Sequence, residues 1–163
     1  MNSTIINSHR IPGSFRDPSG FLFRRDGALY RQINTIYQPD YEHFMQSGLY
    51  EKLITEHLLI PHREADIAPE EASSAYKIIR PEIIPFISYP YEWCFSELRA
   101  AALSMLSIQK LALQFDMTLK DASAFNIQFR EGRPVLIDTL SFEKYQAGSP
   151  WIAYKQFCQP FRS

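Results

Sequence analysis

Cysteine is nearly absent. Cys94 and Cys158 stand far apart, match no metal-ligand or redox spacing, and read as reduced thiols in a reducing compartment, with the cytoplasm as the expected location. No stretch approaches the roughly eighteen unbroken apolar residues of a membrane span, and the opening "MNSTIINSHRIPGSF" lacks the apolar core of a signal peptide. No block of like charges occurs, and 17 basic against 18 acidic residues give a net charge of −1. That balance supplies no general attraction to nucleic acid or to an anionic membrane. His9, His43, His57 and His62 share no ligand spacing and read as surface residues. No serine, Ser141 included, stands in a nucleophile-elbow context, so serine-hydrolase chemistry is unsupported. Internal repeats and low-complexity segments are also missing.

What is present is enough apolar material, 45% hydrophobic and 14% aromatic residues, for one domain or one domain with an extension. From Ser14 to Asn34, "DPSG" and "RDG" break three short strand-like runs, which predicts an antiparallel meander. Pro39 and Asp40 open a helical segment that Gly48 divides, and the stripe Leu49, Leu53 and Leu58 to Ile60 is expected to pack on the meander. "PHREADIAPEEASS" reads as an exposed loop. "AYKIIRPEIIPFISY" offers two runs, interrupted by Pro81 and Pro85, suited to edge strands that would bring the sheet to five. After "YPYEW", Ser96 caps a helix to Phe115 that is apolar nearly all round and therefore expected to be buried. Trp151, Tyr154, Phe157 and Phe161 recur at helical spacing and call for a covering surface, either the body or a second copy of the chain.

Between the long helix and that aromatic tail lies "LKDASAFNIQFREGRPVLIDTLSF", a strand, a "REGR" turn and a return strand carrying Asp121, Asn126 and Asp138. Asp121 or Asn126 alone would be an ordinary turn residue. Asp138 closes the apolar run "PVLI", where a carboxylate needs a partner. Asp121 precedes Asn126 by five positions, and Asp138 ends the second hairpin strand. In this order and spacing the chain resembles the protein-kinase-like fold from about Ser14 to Phe142.

The resemblance implies an α+β domain: a five-stranded, mainly antiparallel sheet with a packed helix, then a buried helix and a β-hairpin, with the C-lobe truncated. It implies residues 1–13 as an extension, 14–93 as a kinase-like N-lobe and 94–163 as a partial C-lobe. Asn126 and Asp138 would be ligands of Mg²⁺, Asp121 the catalytic carboxylate and Lys120 its neighbour at the phosphate or at an acid. ATP or another nucleotide would be held by Arg31 in place of the usual lysine, Glu51 or Glu42 as its acidic partner, the Ser19-Gly20 turn, and Tyr91 in an adenine-facing connector. Phosphoryl transfer to a small molecule or protein is the implied activity. The departures are Leu-Lys-Asp at 119–121 where protein kinases have His-Arg-Asp, Asp-Thr-Leu at 138–140 for Asp-Phe-Gly, and one glycine in "RDPSG" for three.

The phrases "YPYEW", "LKDASAFNIQF", "IDTLSFE" and "PW.AY.QF" are also similar to the N-terminal part of larger bacterial proteins described as SAM-dependent methyltransferases. No strand followed by a glycine-rich adenosylmethionine loop occurs in these residues. This second likeness implies a companion domain, an interaction module serving an attached or partner methyltransferase.

Overall fold

Two short sequences fix the hairpins. In the computed structural model, which describes residues 8–11 and 17–161, Asp26 and Gly27 take φ of 50° and 78°, and Glu131 and Gly132 take 52° and 75°. Two successive left-handed residues make the tight turn whose twist matches paired strands, and glycine in the second place avoids the Cβ clash. The first turn joins β2 (Gly20–Arg25) to β3 (Ala28–Asn34), and the second joins β7 (Ile127–Arg130) to β8 (Arg133–Leu136).

The chain is α+β, and its strands divide among three sheets. The largest runs β1-β2-β3-β5-β4, with β1 at Ser8–Arg10, β4 at His62–Glu64 and β5 at Ala75–Pro81. All its pairings are antiparallel. The other two pair β6 (Met117–Leu119) with β9 (Phe142–Lys144), and β7 with β8. The strands are therefore not those expected of a single sheet of five. The strand-like run beginning at Ser14 starts outside the described residues, Ser8–Arg10 from the expected extension pairs with β2, and the second proline-interrupted run forms no strand. His62–Glu64, expected in a loop, pairs with β5 because its backbone satisfies the far edge of that strand.

The residues form two compact units, Met1–Pro39 with Pro61–Ile83, and Asp40–Ile60 with Ile84–Ser163. In the first, Phe21, Phe23 and Ile78 are buried together, and Ala65 and Ile67 pack against them. A loop, not a helix, thus covers these apolar residues. Gln32, fully buried, organises it by accepting the amides of Glu70 and Glu71 at 3.0 and 2.9 Å and donating to the Glu71 carbonyl at 2.9 Å.

The second unit holds the main core. Gly48, at φ 91°, divides α1 (Gln38–Gln46) from α2 (Leu49–Thr55), as the sequence suggested. Leu49, Leu53 and Leu59 join Met105 and Ile108 in this core, so the stripe expected against the meander is buried with the long helix. Phe44 stacks on Phe142 with centroids 4.7 Å apart, tying α1 to β9. Truncating either ring to alanine would cost about 3–5 kcal/mol. The long helix α3 spans Phe95–Leu113 and is capped at Cys94, whose amide donates to Glu97 at 2.8 Å, not at Ser96. Its burial is one-sided: Ala101, Met105 and Ile108 face the core, while Phe95 and Leu103 are 81% and 52% exposed.

Candidate functional site

Asn126 ends a 3₁₀ turn, Ala124–Asn126, that Ser123 caps by accepting the Phe125 amide at 3.3 Å. The turn delivers the chain into β7, and the register Ile127↔Leu136 leaves Asn126 and Ile137 facing each other at the hairpin mouth. The Ile137 amide donates to the Asn126 carbonyl at 2.8 Å, so Asp138 follows directly beside Asn126. Asp138 then turns the chain: its Oδ1 accepts the Leu140 amide at 3.0 Å and its carbonyl accepts the Ser141 amide at 3.3 Å. The Ser141 carbonyl in turn accepts the amides of Lys120 at 2.8 Å and Asp121 at 3.4 Å. Asp121 Oδ1 accepts the Ser123 amide at 3.0 Å, which aims the carboxylate along its own loop.

Continuous backbone bonding thus gathers Lys120, Asp121, Asn126 and Asp138 at one end of the β7–β8 hairpin. Asn126 Nδ2 is buried there without a hydrogen-bond partner, as is the hydroxyl of Ser141. A buried amide left unpaired costs about 1–3 kcal/mol, and half a turn about its last bond exchanges its nitrogen for the oxygen. The two side chains assigned to metal, the Asp138 carboxylate and the Asn126 amide, offer the hard oxygens that Mg²⁺ takes, with water or ligand oxygens completing an octahedron. Among the described residues no three His, Cys, Asp or Glu side chains cluster as metal ligands, so a cation here would depend on the amide.

The other expected residues belong partly to the first unit and partly to the second. Arg31 is buried on β3 of the first unit, opposite Leu22 and Ile79. Ser19 and Gly20 also belong to the first unit. Their amides donate to Asp17, to its Oδ1 at 2.9 Å and its carbonyl at 3.3 Å, and so close the turn on itself. Glu51 is exposed on α2 of the second unit, and Glu42 is half-buried on α1. Tyr91, 76% exposed, stacks on Tyr89 at 5.4 Å on a 3₁₀ turn, Pro90–Glu92, in the second unit.

The side chains that build the surroundings were missed. Gln128 is 2% exposed on β7 and meets Ser88 in both directions, accepting its amide at 3.0 Å and donating to its carbonyl at 3.0 Å. That pair fixes the connector bearing Tyr89 and Tyr91. Gln109, buried on α3, accepts the Leu119 amide at 2.8 Å and donates to Thr118 Oγ1 at 2.9 Å, setting the end of β6 from which Asp121 emerges. Gln109 and Gln128 follow isoleucines in buried elements, and an amide at an inward position is the signal that would have found them.

Two histidines are less superficial than their spacing suggested. His43 lies 3.0 Å from the Phe115 carbonyl. His62 is half-buried on β4, and burial above all lowers its pKa from 6.5 to about 4, Glu64 opposing and Lys77 adding to the shift. The side chains of His9 and Phe161 lie outside the described residues. A separate open cleft of about 600 Å³, lined among others by Asp40, Thr118, Lys144 and Tyr145, contains none of the expected site residues. No described helix is long and apolar enough to cross a membrane.

Comparison with known proteins finds no matching family model. The chain is 34% identical over 154 residues to nodulation protein NoeA of Rhizobium meliloti (strain 1021). The match takes in 93% of this chain and 32% of that protein, so the chain spans about a third of the relative's length.

Proposed function

We propose that the hairpin mouth is a Mg²⁺-nucleotide site of protein-kinase-like design in a cytoplasmic protein. The observation that carries this reading is the closure of Asn126 against Ile137, which sets an unpaired buried amide beside Asp138 and within one backbone relay of Asp121. The pairing of β6 with β9 holds the two ends of this loop together, which supports a site of this kind. Asn126 and Asp138 would hold Mg²⁺, which supplies neutralisation of charge on the nucleotide's phosphate oxygens. Asp121 would orient an acceptor hydroxyl and take its proton. The new bond joins the acceptor oxygen to the γ-phosphorus, the bond to the bridging oxygen breaks, and the nucleoside diphosphate leaves with that electron pair. Lys120, next in the chain, would steady a phosphate or pair with an acid. Glu51 and Tyr91, in the same unit as the mouth, remain proposed contacts to the rest of the nucleotide, and Arg31 and Ser19-Gly20, in the first unit, rest on the resemblance alone.

The second reading is a non-catalytic module that serves an attached or partner methyltransferase domain. Its support is that the relative is about three times as long as the matched part. Thermal unfolding with and without ATP and Mg²⁺ separates the two. At a hundred times its dissociation constant a ligand adds about 2.7 kcal/mol, or roughly 5–10 °C in Tm at this size. An unchanged Tm favours the module.

A further inference from the structure

The loop that carries Asp121 is held by side chains from far along the chain. Trp151 Nε1 donates to the Leu119 carbonyl at 2.8 Å, from 32 positions away, and Gln156 Oε1 accepts the Ala122 amide at 2.9 Å, from 34 positions away. These bonds bracket Asp121: one fixes the backbone two residues before it, the other the backbone one residue after it. Loop backbone groups ordinarily find water or local partners, so two long-range side-chain partners on one short loop constrain it unusually well.

The clamp is itself anchored. Trp151 and Phe157 pack on the core of the second unit, 5.4 Å apart, and Ala153 between them is buried. The Phe157 amide donates to the Ala153 carbonyl at 2.8 Å and sets the turn of α4 (Tyr154–Cys158) that offers Gln156 to the loop. The aromatic tail is thus docked on the body through Trp151 and Phe157, while Tyr154 is exposed. We propose that Gln156, with Trp151 as its support, is a positioning residue for Asp121: the segment 151–158 sets the aim of the carboxylate at the acceptor without touching nucleotide or metal. This rests on the reading of Asp121 given above.

The test uses the full chain with Gln156→Ala and Gln156→Glu, the latter keeping an acceptor oxygen at the same reach. Three quantities are measured: hydrogen exchange at the Ala122 amide, affinity for Mg·ATP by calorimetry, and phosphate release with water as acceptor. Losing one hydrogen bond is expected to speed Ala122 exchange about tenfold and to slow turnover about tenfold, with affinity held within about twofold, and Gln156→Glu is expected to recover most of both. Unchanged Ala122 exchange in Gln156→Ala overturns the proposal. So does a turnover loss matched by an equal loss of Mg·ATP affinity, or a wild-type protein that binds Mg·ATP and turns none over. A wild-type protein that binds no Mg·ATP overturns the reading of the mouth, and the positioning role with it. That outcome is distinct from binding with no change at Ala122, which defeats the positioning role alone.

Discussion

The Ile137 amide and the Asn126 carbonyl meet at 2.8 Å, one step beyond the last paired residues of the β7–β8 hairpin. Since that bond brings Asp138 beside Asn126, while Asp121 is joined to the mouth through the Ser141 backbone, substitutions at the two acids should have different effects. Asp138→Asn removes a charged ligand and should weaken Mg²⁺-nucleotide binding about tenfold or more, while Asp121→Asn should change it less than about twofold. The chemical change is the same in both, so the contrast reports role. Calorimetry with Mg²⁺ present decides it, and equal affinities for the two variants would refute the assignment.

The turn that aligns this mouth depends on a glycine at φ 75°. A Cβ at Gly132 meets nothing within 4 Å, so the cost of Gly132→Ala is conformational alone, about 1 kcal/mol. Gly27→Ala, in the equivalent turn of the β2–β3 hairpin at φ 78°, should cost about the same. Urea titrations should show both midpoints lowered with the slope unchanged, and a null effect at Gly132 would mean that the hairpin tolerates another turn.

How legible these features were depended on the range of the interaction that made them. Both hairpin turns and the break at Gly48 follow from local chemistry, and local chemistry is written in neighbouring residues. The burial of Leu49 and Leu53 with α3 was not readable, because a helix's apolar stripe states that it needs a partner and not which one. The strand at His62–Glu64 was hidden by polar residues, since an edge strand satisfies its backbone without needing two apolar faces. Glutamine reads as a surface residue by default, so Gln32, Gln109 and Gln128 were passed over, although loop, strand and connector hang on their amides and the inward positions of Gln109 and Gln128 were a signal.

Gln109 tests that dependence. Gln109→Leu keeps the volume but leaves the buried Leu119 amide and Thr118 hydroxyl without their partner. The expected loss is about 1–3 kcal/mol, larger than for an exposed glutamine such as Gln114. Chemical denaturation of the two variants side by side measures the difference. Equal and small losses would show that the Leu119 amide finds another acceptor.

His62 supplies a pH dependence of definite sign. It is half-buried on β4, paired with Pro81, and faces the carboxylate of Glu64 and the ammonium of Lys77, which bond to each other. Burial lowers its pKa from 6.5 to about 4 in the folded chain, so the unfolded chain takes up a proton that the folded chain refuses. Stability from the neutral ring is therefore complete above about pH 6.5, falls as the pH drops toward about 4, and changes no further below that, where both states are protonated. The total is a few kcal/mol at most. His62→Gln removes the titrating group while keeping a polar side chain of similar reach, and the carboxylates that titrate in the same range are common to both proteins. Between pH 7.5 and 4 the unfolding free energy of the wild type should fall by more than that of His62→Gln. Parallel profiles would show that His62 takes its proton as readily folded as unfolded.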